Sequence, residues 1–196
     1  MPPGYAIVVD TSIARAAGGL AATDPGSIAC RDTLFAIRGN DHQVVMSWPI
    51  RNEWLGREDQ TENGERAGHA SRFAVTWLTS MQSSGKVKTL GDPIDQDLRD
   101  EVSSLLSKDA TMAVKKDMAL IEVALASDRR ILSLNDRHRK HFQSAARQAH
   151  SGRPVVLRNI MWSNPTREDE RVLTWLADGA PEEPQRYLEY YHGGSE

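Results

Sequence analysis

Short apolar runs rich in β-branched residues alternate along the chain with stretches of helical periodicity. The runs predict strands at 5–9, 43–46, 87–90, 130–134 and 154–157. Apolar positions three or four residues apart predict helices near 25–39, 49–54, 73–83, 94–106, 111–126, 136–149 and 167–177. The polar stretch at 57–68 predicts a loop. Because a continuous apolar run is typical of a strand buried on both faces, this alternation predicts an α/β fold with a mainly parallel sheet.

Length and composition narrow the class of protein. The chain has 196 residues, 39% of them hydrophobic, and one cysteine, Cys30. A single cysteine excludes an intramolecular disulfide scaffold, and no apolar run approaches the roughly 18 residues of a membrane span. We therefore expect a cytoplasmic protein that does not enter a membrane, with one domain over residues 1–160 and an acidic helical C-terminal extension over 161–196 that packs on or near it.

The small net charge of −3 conceals a separation of charges. Residues 128–158 hold eight Lys/Arg and two acidic residues, whereas residues 167–196 hold eight acidic residues and three arginines. A basic patch is what a polyanion-binding surface requires, because phosphate contacts supply most of the non-specific affinity for nucleic acid. The same pattern is also typical of a solvated helix face, and charge alone leaves both interpretations open.

Several acidic residues stand where ligands bind in α/β proteins. Asp10 directly follows the first predicted strand, and Asn135 and Asp136 follow the fourth. Ligands of an open α/β sheet bind beyond the carboxyl ends of its strands. Glu53 and Asp117 lie on or beside helix faces that should pack inward, where a carboxylate is costly unless it is paired or binds a metal. Helix capping and ion pairs with basic neighbours are the alternative interpretations.

The order of four short motifs resembles that of a PIN domain. They are Val9-Asp10-Thr11-Ser12; Ser47-Trp48-Pro49 with Glu53; Asp117 to Ile121 with Ala124; and Ile131 to Asp136 with Phe142. The resemblance covers roughly residues 5–160, and its specificity comes from the order of the motifs. It implies a three-layer α/β/α sandwich, an acidic site for Mg²⁺ or Mn²⁺, and hydrolysis of RNA phosphodiester bonds.

The resemblance also implies roles for individual residues. Asp10, Glu53 and Asp117 would be catalytic carboxylates, and Asp10 and Asp117 would bind the metal. Mg²⁺ prefers oxygen ligands and keeps several waters, so a few carboxylates suffice.

The chain departs from the family at the fourth acidic position, which falls on Asn135. Either Asn135 supplies an amide oxygen to the metal, or Asp136 takes over as catalytic residue and ligand. Both alternatives stand.

Further residues are expected around this centre. Thr11, Ser12 and Ser133 would support it with their hydroxyls. In the basic segment that follows, Arg137, Arg139 and Lys140 are the expected RNA contacts.

The implied partners are RNA, a protein antitoxin or other inhibitor, and a second copy of the chain, since small PIN proteins are commonly toxins of toxin–antitoxin pairs. A catalytically weak RNA-binding or scaffolding protein is the alternative function, because Asn135 replaces a carboxylate. A haloacid-dehalogenase-like phosphatase is disfavoured, since its motif needs a second aspartate where this chain has Ser12.

The aromatic and histidine residues receive less specific predictions. The five tryptophans stand among apolar residues and are expected to be core or interface anchors rather than base-stacking platforms. His138 and His141 are expected at the surface of the basic helix.

Overall fold

Five parallel strands form the central sheet of the computed structural model, which describes residues 4–56 and 69–190. The strands are β1 Ala6–Val9, β2 Gln43–Met46, β3 Val87–Thr89, β4 Arg130–Leu132 and β5 Met161–Ser163, in the order β3-β2-β1-β4-β5. Val8 at the centre pairs with Val45 on one side and Ile131 on the other. The chain therefore reverses its direction of winding between β1 and β4, where an open α/β sheet forms its ligand crevice.

Helices cover the two faces of this sheet. They are α1 Thr11–Ala16, α2 Pro25–Gly39, α3 Trp48–Leu55, α4 Arg72–Ser83, α5 Gln96–Leu105, α6 Lys108–Val114, α7 Met118–Leu125, α8 Asp136–Gln148 and α9 Val172–Ala177, with 3-10 helices at Arg153–Asn159, Glu168–Glu170 and Pro184–Arg186. This architecture confirms the predicted α/β fold and has the layers of an α/β/α sandwich. Across the described ranges, no helix is both long and apolar enough to span a membrane.

The core lies on both faces of the central strands. Ile7, Val8 and Val9 of β1 are fully buried, which accounts for the continuous apolar run that predicted this strand. Trp162 of β5 is also fully buried and packs against Phe142 of α8, with 5.9 Å between ring centroids.

The predicted strand at 154–157 is wrong. That segment is the 3-10 helix Arg153–Asn159, and the fifth strand is Met161–Ser163. Gly152 adopts a positive φ of 79°, and Pro154, which lacks an N–H, stands in the first turn of the helix, a position that suits proline. The C-terminal extension was predicted to begin at residue 161, which is also the first residue of β5. Because β5 pairs with β4, this segment supplies a strand of the central sheet.

Two predicted helices are interrupted. The single helix expected over 111–126 is divided into α6 and α7, and Asp117 caps the start of α7. The helix expected over 167–177 is the 3-10 helix Glu168–Glu170 followed by α9, with Arg171 in a left-handed conformation between them. The break before α7 matters for function because it sets Asp117 at a helix end. The predicted loop at 57–68 lies outside the described residues.

Candidate active site

Asp10 lies at the carboxyl end of β1, next to the end of β4. Its backbone N–H donates to the carbonyl of Leu132 at 2.9 Å, which continues the sheet by one residue. Its Oδ2 accepts hydrogen bonds from Ser12 Oγ at 2.5 Å and from Ser133 Oγ at 2.6 Å. Contacts with Leu132 of β4 and with the serines that follow β1 and β4 therefore fix the position of Asp10 before any ligand binds.

The two serines are themselves held by the backbone after β4. Ser12 Oγ accepts from the N–H of Leu134 at 3.1 Å, and Ser133 Oγ accepts from the N–H of Asn135 at 3.0 Å. Each hydroxyl thus accepts from a backbone N–H and donates to Asp10, so its orientation is determined. The contacts agree with the supporting role expected for Ser12 and Ser133. Thr11, the third expected supporting residue, is buried, and its Oγ1 has no hydrogen-bond partner.

The carboxyl group of Asp10 is in an environment that disfavours its charge. Burial raises its pKa above the ordinary value, and the nearby charge of Asp117 adds to this, while the hydrogen bonds from Ser12 and Ser133 act in the opposite direction. A cation beside Asp10 would offset both unfavourable contributions.

Asp117, in the bend between α6 and α7, is the second carboxylate. Its Oδ2 lies 2.6 Å from His138 Nδ1, and Asn135 Nδ2 lies 2.7 Å from the same nitrogen. Asn135 also caps α8, because its Oδ1 accepts from the backbone N–H of His138 at 3.1 Å. Asn135 therefore stands beside Asp117 with His138 between them.

A cavity of about 240 Å³ brings the three predicted catalytic carboxylates Asp10, Glu53 and Asp117 together. Its wall also contains Asp92, Arg99, Lys115 and Lys116, and the apolar residues Pro49, Ile50, Ile94, Ala119 and Leu120. The three acidic residues come from the end of β1, from α3 and from the start of α7. An acidic centre with cationic side chains around it can attract both a metal ion and a phosphate group.

Glu53 occupies the α3 side of this cavity. Its side chain is 34% exposed, and its Oε1 lies 4.0 Å from the guanidinium of Arg15. A contact of that length at the surface contributes little to stability. Glu53 thus lies in the wall of the cavity, and its catalytic role stays a prediction.

Asp136 is not part of the cavity wall. Its Oδ2 accepts from Asn164 Nδ2 at 3.1 Å and lies 3.6 Å from Arg167 Nη1, on the side of β5. Of the two candidates for the fourth acidic position, the structure thus brings Asn135 to Asp117 and turns Asp136 away.

The expected RNA contacts on α8 do not share one face. Arg137 and Lys140 are exposed, whereas Arg139 is buried at 1% and donates from Nη1 to Glu170 Oε1 at 2.6 Å. The prediction that Arg139 contacts RNA is wrong, because its guanidinium neutralises a buried carboxylate inside the fold.

The residues present fit a hard divalent cation held by few protein ligands. Within residues 4–56 and 69–190, no three His, Cys, Asp or Glu side chains are grouped closely enough to hold one ion. Mg²⁺ commonly uses one or two carboxylates and completes its shell with waters and substrate phosphates. Asp10 and Asp117 both line the cavity and match that donor set. The buried hydroxyl of Thr11, next to Asp10 in the sequence, has no hydrogen-bond partner.

Lysines at the rim of the cavity complete the site and were not predicted as part of it. Lys115 and Lys116 directly precede Asp117 and are exposed, and both line the cavity. From sequence they were candidate ion-pair partners for an inward carboxylate. A pair of cations directly before Asp117 was the available signal, but only the break between α6 and α7 directs them to the cavity.

Comparisons of this chain with protein-family models, with curated proteins and with solved structures find no match. The resemblance to a PIN domain is carried by the four motifs given above.

Proposed function

We propose that this protein is a Mg²⁺- or Mn²⁺-dependent endoribonuclease of the PIN type. The observation that carries the proposal is that Asp10, Glu53 and Asp117, which are far apart in sequence, line one cavity whose rim holds Lys115 and Lys116. Hydrolysis of a phosphodiester needs an acidic site for the metal and a positive surface for the backbone, and the cavity combines them.

Asp10 and Asp117 would hold the ion, and Asn135, which caps α8 through its Oδ1, would keep His138 beside Asp117. When bound, the ion lowers the pKa of a water molecule and offsets the negative charge that builds on the phosphoryl group. Ser12 and Ser133 keep Asp10 oriented through two short hydrogen bonds, so no reorganisation is needed when substrate arrives.

The remaining groups position the reactants. Glu53, across the cavity from the two ligands, accepts a hydrogen bond from the attacking water and orients it towards phosphorus. Lys115 and Lys116 neutralise the phosphates of the bound strand. This pair lines the cavity beside the acidic residues, whereas Arg137 and Lys140 of α8 are not in its wall.

Cleavage of single-stranded RNA tests the proposal. The wild type is expected to cleave it with Mn²⁺ and to lose this activity in EDTA, and Asp10→Asn and Asp117→Asn are expected to abolish it with an unchanged circular dichroism spectrum. Asp109→Asn is the matched control, because Asp109 is exposed in the first turn of α6 and does not line the cavity. Undiminished cleavage by Asp117→Asn would overturn the assignment.

A catalytically weak RNA-binding or scaffolding protein is the second candidate function. It is favoured by the amide at Asn135, where PIN domains commonly carry a carboxylate. Purified wild-type protein that binds RNA but does not cleave it with Mn²⁺ would support this candidate and contradict the first.

The biological setting implied by the resemblance is that of a toxin held inactive by a protein antitoxin. Growth arrest on expression of the wild type, relieved by Asp10→Asn, is the expected result for a toxin. Growth that is unaffected by active enzyme would instead favour an RNA-processing or defence nuclease.

A further inference from the structure

Trp48 is an exposed tryptophan that directly precedes Pro49, a residue of the cavity wall. It is the first residue of α3 and is 50% exposed, whereas the other four tryptophans, all within the described residues, are at most 3% exposed. Trp48 therefore does not lie in the core, whereas the other four tryptophans do, and an interface role for Trp48 stays a prediction. An indole exposes a large apolar surface to water at this position, and such exposed surfaces often mark a binding site.

The surroundings of Trp48 connect it to the candidate active site. The next two residues of α3, Pro49 and Ile50, line the cavity, and so does Glu53 one turn later. Ile94, which also lines the cavity, is 51% exposed. The exposed indole of Trp48 thus stands at the start of the helix that supplies Pro49, Ile50 and Glu53 to the cavity wall.

A cation lies over the Trp48 ring. The guanidinium carbon of Arg51, one turn further along α3, is 5.4 Å from the ring centroid. The Nε atom of Arg51 is buried without a hydrogen-bond partner. Arg51 therefore adds positive charge to an aromatic surface, beside a cavity whose rim already holds Lys115 and Lys116.

We propose that Trp48, with Arg51, is a stacking platform for an unpaired base of the RNA strand whose phosphate enters the cavity. The inference rests on the proposed ribonuclease function and names the residues that would contact a base of its substrate. Proteins that bind single strands combine a positive groove with aromatic side chains on which bases stack, and every base offers a π face. The positive charges of Arg51, Lys115 and Lys116 favour a negatively charged RNA strand as the occupant over a protein surface with few acidic residues.

Binding in EDTA tests the platform separately from catalysis. The probe is a fluorescein-labelled single-stranded RNA of about ten nucleotides, compared with an abasic oligomer that keeps the phosphates and lacks the bases. Trp48→Ala is expected to weaken RNA binding by about tenfold and to leave binding of the abasic oligomer unchanged, since base stacking contributes roughly 5- to 150-fold per base. Trp48→Phe should retain most of the affinity.

A matched control and a spectroscopic measurement complete the experiment. Tyr190 is also 50% exposed and does not line the cavity, and Tyr190→Ala should bind RNA as the wild type does. Stacking should also quench the emission of the one exposed tryptophan, so saturating RNA should lower the fluorescence of the wild type and not that of Trp48→Phe.

The outcomes separate this inference from the proposed function. Equal RNA binding by Trp48→Ala and the wild type would overturn the platform, as would a change in solution mass by Trp48→Ala without a change in RNA affinity, which would indicate a protein interface. Failure of the wild type to bind RNA would also overturn it. Trp48-dependent binding without Mn²⁺-dependent cleavage would support the platform and overturn the ribonuclease alone.

Discussion

Arg139 offers the sharpest test of how the basic helix α8 is used. Its side chain is 1% exposed, and its Nη1 lies 2.6 Å from Oε1 of Glu170, whose side chain is 9% exposed. Arg139→Met keeps an unbranched apolar stem in the helix and removes the charge. It therefore leaves Glu170 buried without its closest cation.

The expected loss of stability follows from that burial. Breaking a buried ion pair by removing one partner commonly costs about 3–5 kcal/mol, because the remaining charge is uncompensated. Arg167 and Arg186 stay 3.6 and 4.0 Å from Glu170, so we expect a loss of about 3 kcal/mol. For a protein of this size that corresponds to a decrease in Tm of roughly 6–12 °C.

The pH dependence of the loss has a definite sign. Burial raises the pKa of Glu170 above its ordinary value, and Arg139 acts against that rise. Without Arg139 the pKa rises further, and the cost of the buried carboxylate disappears as the pH falls through it. The difference in Tm between the wild type and Arg139→Met should therefore be largest at neutral pH and shrink towards acidic pH.

The assay is thermal unfolding followed by circular dichroism from neutral to acidic pH, with RNA binding measured in parallel. Arg137→Met and Lys140→Met, at exposed positions of the same helix, should change stability by less than about 0.5 kcal/mol. A Tm within about 1 °C of the wild type, together with weaker RNA binding by Arg139→Met, would refute the reasoning, since it would mean that Arg139 faces solvent.

Three further predictions follow from the site and the core. Asp136→Asn should leave Mn²⁺-dependent cleavage unchanged and Asn135→Ala should reduce it, because only Asn135 lies beside Asp117; equal losses in initial-rate assays would contradict this. Lys115→Ala should reduce the slope of log affinity against log salt by about 1 whereas Lys108→Ala should not, as measured by anisotropy titrations. Burial raises the pKa of Cys30 to about 12, so iodoacetamide should alkylate it far more slowly in the native than in the urea-unfolded protein at pH 8; equal rates would show that the thiol is accessible.

The fold class was predictable from local patterns because strands β1, β4 and β5 are buried along their whole length. The apolar run at Ile7 to Val9 and its polar end at Asp10 both follow from that environment. The error at 154–157 has a local cause as well. A β-branched run after Pro154 satisfies the pattern of a strand, but this segment follows Gly152, which has a positive φ, and forms a 3-10 helix. The edge strand of the sheet is Met161–Ser163 instead.

The sequence predicted which acidic residues belong to the candidate site, but it did not predict how they are arranged in space. Asp10, Glu53 and Asp117 could be named from strand ends and inward helix faces, and they do line one cavity. The alternative between Asn135 and Asp136 could not be resolved from sequence, because adjacent residues at a helix start point in different directions. Asn135 caps α8 beside Asp117, and Asp136 meets Asn164.

By itself, the sequence determined which residues have the chemistry for a metal and a phosphate, and that a parallel sheet would gather the strand ends at one edge. Only the tertiary structure decided the surroundings of each side chain. It buried Arg139 against Glu170 and left Trp48 in solvent, although charge and hydrophobicity indicated the reverse. The physical reason is that the exposure of a helical residue depends on what packs against that face of the helix, and those neighbours come from distant parts of the chain.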